Sequence, residues 1–160
     1  MSDHKKNEFG IRKFRVKDIM VKDPVTIDSA MTVKDTARAM ARSKCGCLLV
    51  MKKGKVTGIV TERDLVRKAL SDNTRVFAGK VASIMSSPLV VVHPDVTVEE
   101  AARVMASHQV RRLPVVDERG VVGIITVADL AKALARQLKY SDAIINAMAR
   151  VPGPPKAVYG

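Results

Sequence analysis

The chain repeats itself. Val16-Lys17-Asp18-Ile19-Met20 returns as Val81-Ala82-Ser83-Ile84-Met85, a period of 65 residues. The offset slips by one where Pro24 meets Pro88, then returns to 65 from Thr32 over Thr97. Between Thr32 and Leu65, 14 of 34 positions match their partners, including Gly58/Gly123, Thr61/Thr126 and Asp64/Asp129. Repetition at a fixed period constrains the fold first, because each copy is one supersecondary unit that needs a neighbour to bury its apolar face. The copies are expected at residues 14–73 and 79–138, around a polar turn at Ser71-Asp72-Asn73-Thr74. A basic segment, 1–13, precedes them. A short amphipathic helix at Ser141–Arg150 and a Pro/Gly tail follow within 139–160.

Each copy reads β-α-β-β-α. An apolar extended piece opens it, Val25-Thr26-Ile27 or Leu89-Val90-Val91-Val92. A helix follows from Thr32-x-x-Asp35 or Thr97-x-x-Glu100, spacings that place a hydroxyl and a carboxylate at a helix start. Two β-rich runs then flank a tight turn, the pattern of a hairpin: Cys47–Met51 and Val56–Val60, or Leu113–Val116 and Val121–Ile125. A second helix starts at Thr61 or Thr126. The apolar runs are nearly continuous, so both faces of each sheet need cover. One face takes the copy's own helices, and the other takes the sister copy. The expected class is α/β of the α+β type, with the two repeats packed about a pseudo-twofold axis and a cleft between them.

Composition narrows the functions. Aromatic residues are 3% of the chain, too few for a fold that stacks unpaired bases on aromatic platforms. The net charge of +12 attracts polyanions and leaves nucleic acid open as a partner. The longest uncharged run, Val81 to Pro94, is too short to cross a bilayer, and the N-terminus is charged without an apolar leader. A cytoplasmic protein without membrane insertion is expected. Cys45 and Cys47, with no second pair, read as core or pocket-lining thiols rather than a zinc site. No P-loop, G-x-G-x-x-G, H-E-x-x-H or G-x-S-x-G motif is present, so catalysis is not expected.

Gly58-Ile59-Val60-Thr61-Glu62-Arg63-Asp64-Leu65 and Gly123-Ile124-Ile125-Thr126-Val127-Ala128-Asp129-Leu130 resemble the end of a CBS domain, the cystathionine-β-synthase regulatory repeat. Arg112-Leu113-Pro114-Val115-Val116-Asp117 resembles that family's central strand, and Val16–Met20 its first segment. The resemblance implies a non-catalytic tandem module that dimerises and binds adenine nucleotides (AMP, ADP or ATP) as regulatory ligands between the repeats. It needs no cofactor or metal, and it reports to an effector protein of unknown identity. S-adenosylmethionine or a dinucleotide is the neighbouring ligand choice. A nucleic-acid binder using the net charge is the rival function.

The residue chemistry fits the same picture. Asp64 and Asp129 suit a ribose diol, because a carboxylate accepts two hydroxyl hydrogen bonds. Thr61 and Thr126, at helix starts, suit a phosphate, although capping alone also explains them. Arg63 beside Asp64, and Arg111 with Arg112 before the second central strand, offer forked donors for phosphate. The alternative for those two arginines is a solvated rim, or pairing to Asp117 or Glu118. Ile27, Cys47, Leu48, Val91 and Leu113 are candidates to hold a base, although ordinary core packing is the plainer reading of each. His93 could reach a ligand from the end of an extended piece; a turn histidine is its plainer reading. His108 is expected to close a helix.

Overall fold

The computed structural model describes residues 14–69 and 77–137. The basic segment, the Ser71–Thr74 turn and the C-terminal helix and tail fall outside the described residues. The first copy runs α1 (Val16–Ile19), β1 (Val21–Lys22), β2 (Thr26–Asp28), α2 (Val33–Ser43), β3 (Cys47–Lys52), β4 (Lys55–Thr61) and α3 (Glu62–Asp64), which passes into a π-helical run over Leu65–Ala69. The second has a 3-10 turn at Val81–Ser83, then α4 (Val98–Ser107), β5 (Arg112–Asp117), β6 (Gly120–Thr126) and α5 (Val127–Gln137).

The helices start and stop where their sequences dictate. Thr32 Oγ1 accepts from the Asp35 amide at 3.0 Å, and Thr97 does the same for Glu100 at 3.2 Å. Glu100 completes a reciprocal box by accepting from the Thr97 amide at 2.8 Å. Val33, Thr36 and Met40 form the buried face of α2. Thr36 is fully buried, but its hydroxyl donates to the Thr32 carbonyl at 2.8 Å, so no polar group is stranded. Lys44 closes α2 in the left-handed region at φ 52°, and His108 closes α4. The first hairpin turns through Lys53 and Gly54, both at positive φ (49° and 75°), the requirement of a tight type I′ loop.

The two apolar extended pieces fare differently. In the first copy β2 pairs parallel with β3, and the Leu49 amide donates to the Val25 carbonyl at 3.1 Å. In the second, the expected strand over Leu89–Val92 shrinks to a single parallel bridge, Val92 with Val115. The cause is Pro114, which aligns with Leu49 and has no N–H to extend the ladder.

The sheets order as β2-β3-β4 and β1-β6-β5. The second order is unexpected from the sequence, because β1 belongs to the first repeat yet pairs antiparallel with β6 of the second. The exchange is mutual, since Ser86 bridges to Ile59 in β4. Val16 is fully buried in the core built from Val98, Met105, Leu113 and Ile125, while Val81 and Ile84 are buried with Val33, Met40, Leu48 and Val60. Matching hydrogen bonds fix the two exchanged segments: Val16 N to Val96 O at 2.9 Å, and Val81 N to Met31 O at 2.8 Å. Each sequence repeat thus completes the core of the other, which is why neither 60-residue half needs to be stable alone.

Gly58 and Gly123 explain themselves here. A Cβ on Gly58 would sit 2.2 Å from Met85 Sδ, and one on Gly123 would sit 2.6 Å from Met20 Sδ and 2.9 Å from the Val21 carbonyl. The repeated Met at the end of each exchanged segment needs the repeated Gly in the opposite sheet.

Candidate functional site

Each sheet delivers its last strand directly into a helix. Thr61 Oγ1 accepts from the Asp64 amide at 3.2 Å, while Asp64 Oδ2 accepts from the Thr61 amide at 2.9 Å and from the Thr61 hydroxyl at 2.7 Å. Thr126 and Asp129 reproduce this at 3.3, 2.9 and 2.7 Å. The Thr-x-x-Asp pairs are therefore reciprocal helix caps, with Asp in the role Glu100 takes in α4. One carboxylate oxygen of each Asp serves the cap, which leaves Oδ1 for other work. Asp64 Oδ1 faces Lys68 Nζ at 3.4 Å. Among the described residues, Asp129 Oδ1 has no such partner.

The register gathers further predicted residues around these caps. Cys47 lies opposite Thr61, and Arg112 lies opposite Thr126. The residue before each central strand clamps the following helix: Glu62 N donates to Gly46 O at 3.2 Å, and Val127 N donates to Arg111 O at 3.1 Å. Strands β4 and β6 touch, so the two caps lie at one end of adjoining sheets. A methyl on Gly46 would lie 3.4 Å from Glu62 Oε2 and 3.9 Å from Arg112 Nη2. Arg112 of the second copy therefore extends over the first copy's helix start. Burial pushes the Cys47 thiol up from its ordinary range, opposed by the Arg112 guanidinium and reinforced by Cys45 and Glu62. A thiol so placed is mostly protonated at neutral pH and a poor nucleophile.

Glu62 is the neighbour that sequence reasoning missed. Its only signal was a mismatch, since the second copy has Val127 there, 41% exposed. Arg63 and Arg111 are exposed at the same end. Neither Arg111 nor Arg112 pairs with Asp117, whose Oδ2 instead accepts from Arg119 at 2.7 Å. Cys45 precedes β3 rather than lying in it, and its Sγ donates to the Ser43 carbonyl at 3.3 Å.

Other predicted residues lie elsewhere. Ile27, Leu48 and Leu113 are enclosed in the two cores at 6%, 1% and 0% exposure. Val91 is exposed beside the bridge at Val92. His93 follows the Val92–Val115 bridge and so sits near the far end of β5, roughly 13 Å along the strand from Arg112. There its Nδ1 accepts from the Asp95 amide at 3.2 Å. It borders an open cleft of about 870 Å³ lined also by Lys17, Asp95, Asp117 and Arg119. Two close ion pairs lie within that cleft. Lys17 pairs with Asp95 at 2.7 Å and holds that carboxylate below its ordinary range, as Arg119 does for Asp117. This cleft and the paired caps are thus at opposite ends. Among the described residues, no cluster of three or more His, Cys, Asp or Glu is arranged to hold a metal ion, and no helix is long and apolar enough to cross a membrane.

Comparison with known proteins agrees with this architecture. The family model for the CBS domain matches residues 16–71 and again 81–136. The CBS domain-containing protein YhcV of Bacillus subtilis is 34% identical over 116 residues, covering 72% of this chain and 82% of that protein. Among solved structures, the CBS domain pair of protein MJ0100, in complex with 5-methylthioadenosine and S-adenosyl-L-methionine, superposes with a TM-score of 0.69 at 30% identity, covering 78% of this chain and 98% of that one. CBSX2 in complex with AMP superposes with a TM-score of 0.66 at 26% identity, covering 79% and 99%. The exchanged segments, the twin caps and the double family match lead to one conclusion: this chain belongs to the CBS-domain family and carries two CBS domains in tandem.

Proposed function

We propose that this chain is a non-catalytic regulatory module that binds an adenosine-containing ligand at the capped end of its two sheets and passes the occupancy to a partner protein. The observation that carries this is the pair of Thr-x-x-Asp caps, matched to within 0.1 Å, each using only Oδ2 for the cap, so that Oδ1 is unpaired at Asp129 among the described residues and shared with Lys68 at Asp64. The adenosine ligands named for two similar structures support the ligand class. Within that class we favour AMP, ADP or ATP over S-adenosylmethionine, because Arg63, Arg111 and Arg112 put forked donors for phosphate at the same end.

The two sites are unequal. Lys68 competes for Asp64 but not for Asp129, and Glu62 beside the first cap repels phosphate where Val127 does not. The second site should therefore bind the more highly charged nucleotide more tightly. Asp→Asn variants test this, because Asn keeps an acceptor for the cap while losing the second carboxylate oxygen. Asp129→Asn should weaken AMP and ATP binding in calorimetry by about tenfold, near 1.4 kcal/mol, and Asp64→Asn by less. Unchanged titrations for the double variant would reject the ribose assignment. Prolonged incubation with ATP should leave it intact; product formation would overturn the non-catalytic reading. We take the working unit to be a homodimer, which light scattering checks directly.

A further inference from the structure

The two copies share a backbone but not a surface. Residues 14–69 hold thirteen lysines and arginines against six acidic residues, a net +7; residues 79–137 hold seven against six, a net +1. The excess is concentrated. Lys34, Arg38 and Arg42 recur at four-residue spacing along the exposed side of α2, one stripe about 12 Å long. Lys52 and Lys53 add exposed cations at the end of β3, where the Ser29 amide, in the turn that leads into α2, donates to Met51 O at 2.8 Å. At the aligned positions the second copy has Glu99, Arg103, Ser107, Asp117 and Glu118. Only Arg38 of the first stripe is in an ion pair among the described residues, with Asp35 at 3.1 Å. Lys34 occupies the first helical turn, where the dipole favours an acid and the second copy places Glu99.

We propose that this face of the first copy docks the phosphate backbone of a nucleic-acid duplex, independently of base sequence. The other polyanions fit less well. A helix that lies in a membrane needs its apolar face for the lipid, but α2 has buried Val33, Thr36 and Met40 in the core. An acidic protein partner would be met by aromatic or apolar anchors, and interface centres are poor in lysine. A single strand needs aromatic platforms, whereas the described aromatics, Phe14 and Phe77, are half-buried. Repeated cations on a rigid element suit the regular charge of a duplex.

The test is fluorescence anisotropy of the full chain with a mixed-sequence DNA duplex across a salt series. About four phosphate contacts should give a log–log salt slope near −3.6 and an affinity loss of about 10²-fold from 50 to 200 mM salt. The variant Lys34→Gln, Arg42→Gln, Lys53→Gln should flatten that slope by about 2.7. Arg103→Gln, Lys132→Gln, Arg136→Gln removes equal charge from the second copy and should leave the slope within about one contact of the parent. Matching melting curves establish that both variants fold. No duplex binding at low salt, or equal losses in both variants, overturns the proposal. Tighter binding to anionic phosphatidylserine vesicles or to polyglutamate than to the duplex overturns it in favour of a membrane or an acidic protein.

Discussion

The second helix of each copy begins alike and ends differently. After the Thr126 cap, α5 continues as eleven regular residues. After the Thr61 cap, α3 gives way at once to the π-helical run over Leu65–Ala69. Among the positions that differ, Lys68 aligns with Ala133. Ala133 is 1% exposed in the second core, and an ammonium cannot take that place without a large desolvation cost. The widened helix lifts Lys68 outward, where Nζ donates to the Ile84 carbonyl at 2.8 Å and faces Asp64. Lys68 thus leaves the place that Ala133 fills in the core and engages the oxygen that a ligand would use. The lesson is that twin sequence motifs need not be twin sites, because neighbours outside the motif set their availability.

The mutual exchange of segments can be broken unequally, and this carries the largest expected effect. Gly123→Ala puts a methyl against the Val21 carbonyl as well as the Met20 side chain, and backbone cannot yield as a thioether can. It should cost about 3 kcal/mol in denaturant unfolding, and Gly58→Ala about 1. Met85→Ala added to Gly58→Ala should recover part of the loss, while Met20→Ala should rescue Gly123→Ala little. Equal costs and equal rescue would mean that the two sheets accept the exchanged segments alike.

A smaller effect separates the ladders. Pro114→Leu gives the second copy the residue and donor of Leu49. The new amide should bond the Val90 carbonyl, exchange slowly with solvent and add about 1 kcal/mol of stability. A rapidly exchanging amide at 114 would mean that proline is not what shortens the strand.

The smallest effect is one of pH. Hydrogen bonds from Thr32 to Asp35, from Lys17 to Asp95, from Thr97 to Glu100 and from Arg119 to Asp117 hold these carboxyls below their ordinary values, 3.8 for Asp and 4.5 for Glu. A depressed folded pKa contributes stability that is complete above the unfolded value and is lost as pH falls through the folded one. Three of the four lie in the second copy. Acidification from about pH 5 to about pH 3 should therefore release amide protection there first. Simultaneous loss in both copies would show one cooperative unit with no acid-sensitive half.

Local features were legible in sequence because they depend on neighbours in the chain. The period of 65, the Thr-x-x-Asp and Thr-x-x-Glu caps, the hairpins and the apolar core faces all follow from spacing and residue chemistry. So does membership of the family, since both motif sets stand in order. The missing donor of Pro114 and its cost to the ladder showed only once the partner strand was in place.

What the tertiary structure alone decided is who meets whom. Nothing in Val16–Met20 says that it fills the other repeat's core, because an apolar pentapeptide fits either of two nearly identical sheets and linear order favours its own. Nor could spacing divide the candidate residues, leaving Arg112 beside Glu62 and Cys47 at the capped end while His93 joins Lys17 and Asp95 at the other. Sequence specifies each element's chemistry within a few residues; packing selects among equivalent partners through contacts that have no local signature.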